Sequence, residues 1–278
     1  MTPGRAPGVS LGAHTFGLVW EADAATAIAR LGNEGFTRFQ LMAIPPHLDV
    51  RAADPATVAR IRDAVDAVGG ELLSIDLPST DVNAGSPIRE VVDLTVALYT
   101  ATLELAAVLG SRWVTLLAGR RHALLPPPDD RLLAIVVDAF DRLVPVAERL
   151  GVRLLLENHP QSLTPTAVDV ASLLAAQRYP VVDALYDVAN GVAAGEDPAA
   201  GIATLAPHLG LVHLSDTPAG AWRHDRVGSG DVDFGAIRAQ LDACAFDGPA
   251  VVEVISDDPV ADLVSSRRLL EARGWTLA

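Results

Sequence analysis

VRLLLE (152–157), VVDALYD (181–187), LGLVH (209–213) and AVVE (250–253) decide how this chain reads. Each is a short, apolar, strand-like run. Each closes on a side chain that binds metals: Glu157, Asp187, His213 and Glu253. One acid at the end of one apolar run carries little weight. Two Glu, one Asp and one His closing successive strands form a donor set for one divalent cation. Oxygen and imidazole donors without a thiolate suit Mn, Mg, Co or Zn. The pattern also suggests an architecture, because (β/α)8 barrels build their sites where the strands end.

Working outward, four more strand candidates precede these: GVSLGAH (8–14), GFTRFQL (35–41), GELLSID (70–76) and SRWVTLL (111–117). The later four extend to 152–157, 181–187, 209–214 and 249–254, which makes eight. Helical patterns lie between them. Asp54-Pro55 opens one as N-cap and first-turn proline, and Gly69 closes it. Ser86-Pro87 opens another that closes on Gly110. The segment 129–151 closes on Gly151, with Pro145 expected to kink or split it. Eight strand–helix alternations specify an α/β chain folded as one (β/α)8 TIM barrel spanning 1–278. An open doubly wound sheet shares the local pattern, but no GxGxxG follows the first strand. PPPDD (126–130) reads as a stiff loop rather than a boundary.

Composition narrows the chemistry. The 278 residues suit one α/β barrel, and half of them are hydrophobic. A net charge of −14 argues against sequence-independent nucleic-acid binding. There is no lysine, so Schiff-base aldolase chemistry, imine-held pyridoxal phosphate and a P-loop are excluded. The single cysteine, Cys244, rules out an internal disulfide and reads as a small buried residue. MTPGRAPGVS has no apolar signal core, and no apolar run reaches the roughly 18–20 residues of a membrane span. A soluble, cytoplasmic protein is expected.

A carboxylate at the end of a buried strand costs desolvation energy unless something pairs with it, and a metal is the simplest partner for Glu157. A capping Glu157, a turn Asp187 and a core His213 are the blander alternatives, and the four together displace them. Glu253 sits among apolar residues on the last strand and is expected to act as both ligand and catalytic carboxylate, as is Glu157. Asn158, His159 and Asn190 lie where they can face a substrate. Asp216 is a candidate to orient His213 or a substrate hydroxyl. WRHDRVGSGDVDF (222–234) is a charged loop able to present Arg223, His224 or Arg226 over the mouth. His14, Gln40 and Asp76 end the first three strands and are candidates to line it. Trp20 and Trp222 are candidate apolar walls.

With these residues in view, the chain resembles the xylose-isomerase-like TIM barrels, the sugar phosphate isomerase/epimerase family. LLLENHP, YDVANG, LVHLSD, RVGSGDVDF and VVEV carry the resemblance over 152–254. The N-terminal half matches only as βα units. The resemblance implies that Glu157, Asp187, His213 and Glu253 bind one divalent ion, often Mn. It implies isomerisation or epimerisation of a sugar-like α-hydroxy ketone through an enediolate, with Glu157 and Glu253 as acid and base. Dehydration of a cyclic polyol ketone, inosose- or dehydroshikimate-like, uses the same ligands and is the main alternative. Family members are often dimers or tetramers, so a homo-oligomer stays open. Two positions depart from the ketose 3-epimerases of the family. Asn190 stands where they carry His, and Ala219 where they carry Arg. A modified sugar or inosose-like ketone is therefore on an equal footing with a simple ketohexose. A nuclease of the endonuclease IV type shares the barrel, and LGAHTFG and RHDRVGSG loosely resemble its motifs. It needs further His ligands, which SIDLP and TLLAG do not offer.

Overall fold

The computed structural model describes residues 9–78 and 81–276. Gly8, with which the first candidate strand begins, and most of MTPGRAPGVS lie outside the described residues. Eight parallel strands close into a barrel in sequence order. They are β1 (Ser10–His14), β2 (Arg38–Met42), β3 (Glu71–Asp76), β4 (Trp113–Leu116), β5 (Arg153–Glu157), β6 (Val182–Asp187), β7 (Leu209–Leu214) and β8 (Pro249–Val252). The helices are α1 (Ala24–Asn33), α2 (Pro55–Ala67), α3 (Arg89–Leu109), α4 (Asp129–Leu150), α5 (Ala167–Gln177), α6 (Val188–Ala193), α7 (Pro198–Leu205), α8 (Phe234–Ala243) and α9 (Pro259–Glu271). All eight expected strands are present. The last is shorter than expected, so Glu253 is the first residue beyond it.

Local chemistry explains most helix ends. The carboxylates of Asp23, Asp54, Asp197, Asp233 and Asp258 each accept a backbone N–H from the first turn that follows. Gly110 and Gly151 end α3 and α4 in the left-handed region, at φ of 75° and 68°. Three details differ from the sequence expectations. The α3 helix starts at Arg89, because Ser86 Oγ accepts the Ile88 N–H and holds a turn instead. Pro145 does not split α4, which runs unbroken for 22 residues. Pro145 is exposed, while Leu143, Val144 and Ala147 beside it are buried and pin the helix to the barrel. Cys244 is half-buried, within 3.0 Å of Gln240 Nε2, rather than a core residue. The α3 helix is also long and apolar enough to cross a membrane, with mean hydropathy 1.6. Here it is a wall helix, with Val92, Val96, Tyr99, Leu103 and Ala106 buried in the core.

Two apolar clusters result. The larger fills the space between sheet and helices. The smaller is Leu73, Trp113, Leu155, Leu185, Leu211 and Val251, which plug the barrel interior. Burying each such aliphatic side chain stabilises the fold by about 1.5–3 kcal/mol. Strand residues two apart share a face. Leu155 therefore shares its face with Glu157, Leu185 with Asp187, and Leu211 with His213. Val251 stands two residues before Glu253. The plug is a floor that lifts these side chains to the barrel mouth.

Candidate metal centre

Each strand delivers one polar side chain to a layer above this floor: His14, Gln40, Asp76, Thr115, Glu157, Asp187, His213 and Glu253. The two halves of this ring behave differently. In the β1–β4 half every contact is made. His14 Nε2 meets Asp76 Oδ2 at 3.0 Å, and Gln40 Nε2 donates to the same oxygen at 2.6 Å. Ser74 Oγ donates to Asp76 Oδ1 at 3.1 Å and lies 3.0 Å from Thr115 Oγ1. Burial works to raise Asp76, but hydrogen bonding from His14 and attraction to His14 and His213 bring it below the ordinary carboxylate range.

The β5–β8 half leaves polar atoms without partners. Asp187 Oδ2, His213 Nδ1 and Glu253 Oε2 are buried and unbonded among the described residues. They face one another: His213 Nδ1 lies 3.0 Å from Glu253 Oε2, 3.5 Å from Asp187 Oδ2 and 3.9 Å from Glu157 Oε1. An orphaned buried polar atom is costly and rare. Ligand atoms of Glu157, Asp187 and His213 lie within 4.8 Å of one another, as do those of Asp187, His224 and Glu253, and these overlapping groups fit a divalent cation with oxygen and imidazole donors.

The electrostatics point the same way. Burial raises Glu157 well above the ordinary range, and repulsion by Asp187 and Glu253 adds to it. Burial would also raise Glu253, but the attraction of His213 outweighs it and lowers the group. Burial opposes a charged His213, yet the carboxylates of Glu253, Asp187 and Glu157 raise it well above its usual value. The surrounding carboxylates thus favour the protonated form of His213.

The remaining candidates divide into those that reach the mouth and those that do not. A cavity of about 230 Å³ opens above the ring, with Glu157, Glu253, His159, Asn190 and His224 on one side. Phe16, Met42, Leu77 and Leu116 line the other. Asn190 donates to Glu157 Oε1 at 3.1 Å and accepts from Trp222 Nε1 at 2.7 Å. Its backbone N–H caps Asp187 Oδ1 at 2.7 Å, because the short α6 starts directly at the end of β6. This turn is helical, which the Asn190-Gly191 pair did not suggest. His159 packs edge-on against Trp222 with ring centres 5.0 Å apart, and burial lowers its pKa to about 4. His224 Nδ1 lies 3.6 Å from Glu253 Oε2 and 3.7 Å from Asp187 Oδ2, beside Ser215 Oγ at 3.1 Å.

Other candidates turn out to be scaffold. Asn158 is fully buried and clamps β5 to β6, accepting from Asp187 N at 2.6 Å and donating to Asp187 O at 3.0 Å. Asp216 does not orient His213. Its carboxylate accepts the backbone N–H groups of Thr217, Gly228 and Val232, which folds the 216–232 loop around it. Arg223 pairs with Asp225 and is exposed, and Arg226 pairs with Asp262 on α9, so neither lines the cavity. His14 is buried beneath the mouth, edge-on to His213 at 5.6 Å. Trp20 is 74% exposed and forms no wall, whereas Trp222 does line the cavity. Sequence reasoning missed Thr115 and the tie between Gln40 and His213. A polar residue closing each of the first four strands was the available signal.

Fold and site together define a parallel barrel with a polar mouth lined by acid and imidazole side chains. The sequence matches the family described as "Xylose isomerase-like TIM barrel" over residues 26–273, and the chain belongs to that family. A curated relative, an inosose dehydratase of Geobacillus kaustophilus (strain HTA426), is 26% identical over 148 residues. That match covers 45% of this chain and 46% of the relative, so it spans about half the relative's length. Among solved structures, a D-tagatose 3-epimerase-like protein superposes with a TM-score of 0.83 at 19% identity, covering 95% of this chain and 97% of its own. The 3-keto-D-glucoside 4-epimerase from E. coli gives 0.80 at 19% identity, with 95% and 99% covered. At these identities the structural likeness speaks to the fold.

Proposed function

We propose that this protein is a divalent-metal-dependent isomerase or epimerase of a sugar or sugar-like α-hydroxy ketone. The observation that carries the reading is the convergence at the barrel mouth of Asp187 Oδ2, His213 Nδ1 and Glu253 Oε2, all buried and without a satisfied hydrogen bond among the described residues. With Glu157 these residues would hold one ion, with Mn favoured over Mg, Co or Zn. A bound divalent ion supplies Lewis-acid polarisation of a substrate carbonyl.

The chain's own residues account for the proton. Glu157 and Glu253 come from β5 and β8 and both line the cavity, so one carboxylate removes the α-proton and the other returns one. Burial pushes Glu157 upward and the attraction of His213 pulls Glu253 downward, and either carboxylate can serve as the acid or the base. Asn190 holds the Glu157 carboxylate in the mouth. His159, Trp222 and His224 contact the substrate. Proton return to the opposite face of the same carbon gives an epimer, and return to the neighbouring carbon gives an aldose–ketose pair. The match to an inosose dehydratase supports a second reading, loss of a β-hydroxyl from a cyclic polyol ketone at the same site.

The test is elemental mass spectrometry of the purified protein, followed by α-proton exchange in D2O on panels of ketoses and inososes. About one Mn, Co, Zn or Mg per chain, with deuterium entering a ketose, supports the isomerase or epimerase. Deuterium exchange with water loss from an inosose selects the dehydratase. A protein that takes up no divalent ion when Mn is supplied refutes both.

A further inference from the structure

We propose that Gln40, itself oriented by Asp76, is a positioning residue that fixes Nδ1 of His213 as the metal-binding atom from the opposite half of the barrel. The inference rests on the metal site proposed above. Gln40 is fully buried, and it spans the interior from β2 to β7. Its Nε2 donates to Asp76 Oδ2 at 2.6 Å and to Thr115 Oγ1 at 3.3 Å. Its Oε1 faces His213 Nε2 at 2.9 Å.

The proton positions follow from what each group can do. A carboxylate only accepts, so Asp76 forces the amide nitrogen of Gln40 to point toward it. That turns the amide oxygen toward His213. An amide oxygen cannot donate, so Nε2 of His213 must carry the proton. Neutral His213 then keeps its lone pair on Nδ1, the atom facing Glu253, Asp187 and Glu157. Asp76 is pinned in turn. The Phe16 N–H donates to His14 Nδ1 at 2.9 Å, so the His14 proton sits on Nε2, facing Asp76. Ser74 supplies a donor to the other carboxylate oxygen. No member of this chain can reverse its hydrogen bonds without leaving a buried group unpaired. The first half of the sequence thereby sets the ligand atom of the second half.

Mn(II) binding to the full-length protein, read by electron paramagnetic resonance of free Mn(II), tests this. Gln40→Met keeps the length and removes donor and acceptor, and it should weaken Mn(II) binding about 10–100-fold. Nitrogen NMR of the Zn(II)-loaded protein reads the ring directly: wild type should ligate through Nδ1 with the proton on Nε2, and Gln40→Met should lose that single tautomer. A role limited to packing would leave the tautomer unchanged. If wild type binds Mn(II) and Gln40→Met binds it equally, the relay is refuted while the metal site stands. If wild type binds no divalent ion, the metal site itself fails and the relay with it. Should Gln40→Met not fold, nitrogen NMR of wild-type protein loaded with Zn(II) decides. Ligation through Nδ1 with a proton on Nε2 supports the relay, and ligation through Nε2 overturns it.

Discussion

Removing the ion proposed for the mouth, with a chelator or by Glu157→Gln, should have effects whose size the geometry sets. Asp187 Oδ2, His213 Nδ1 and Glu253 Oε2 are buried without a satisfied hydrogen bond among the described residues. Leaving one such atom unpaired costs about 1–3 kcal/mol. A cation that satisfies all three removes about 3–9 kcal/mol of that cost, against its own dehydration. Mass action gives about 2.7 kcal/mol at an ion concentration of about 100 times Kd. About 3 kcal/mol is therefore the expected stabilisation, and at about 2–4 °C per kcal/mol Tm should rise by roughly 6–12 °C. Thermal unfolding by circular dichroism in chelator and in Mn(II) measures it. In Glu157→Gln the new carbonyl keeps the Asn190 hydrogen bond while one of three converging carboxylate charges is lost. The Mn(II)-dependent rise should fall to below about a third of wild type, while Tm in chelator stays equal or increases. The pH dependence has a definite sign. A carboxylate raised on folding binds its proton more tightly in the native state, so chelated wild type loses stability as pH rises above the unfolded Glu value. Glu157→Gln lacks that loss. A shift under about 2 °C with Mn, Co, Zn and Mg alike would refute the reasoning.

Three further outcomes concern the scaffold. Gly201→Ala would place a Cβ 2.5 Å from Tyr186 Cζ and 2.6 Å from Cε2. The tyrosine is fully buried and cannot retreat, so a loss of about 1–3 kcal/mol is expected in denaturant unfolding, with no change in Mn(II) affinity. Pro145→Ala restores a backbone donor to an exposed position inside α4 and should raise stability by about 1 kcal/mol; a decrease would mean that the proline ring packs usefully. His47 is buried, with Nδ1 at 2.6 Å from Ala22 O, and burial lowers its pKa below the usual value. A base lowered on folding is protonated more readily in the unfolded state. Acidification through the ordinary histidine range should therefore destabilise the protein, and His47→Gln should flatten that slope in Tm measured between about pH 5 and 7.

What the sequence determined by itself was the architecture and the acid or imidazole side chains that close its last four strand-like runs. Alternating short apolar runs and capped helical patterns leave few topologies open, and Glu157, Asp187 and His213 stand at the strand ends, where a closed barrel builds its mouth. These are local properties, written in neighbouring residues. The roles of Asp216, Asn158, Arg223 and Arg226 were not legible, because each depends on a partner chosen by the fold. Asp216 meets backbone N–H groups up to 16 residues away, and Arg226 meets a carboxylate on α9. Pro145 does not split α4 for the same reason, since packing of its neighbours overrides a local helix-breaking preference. Only the tertiary structure brought Gln40 within 2.9 Å of His213, 173 residues away, and so decided which ring nitrogen faces the three carboxylates. Barrel closure sets that distance, and no pattern in either strand encodes it alone.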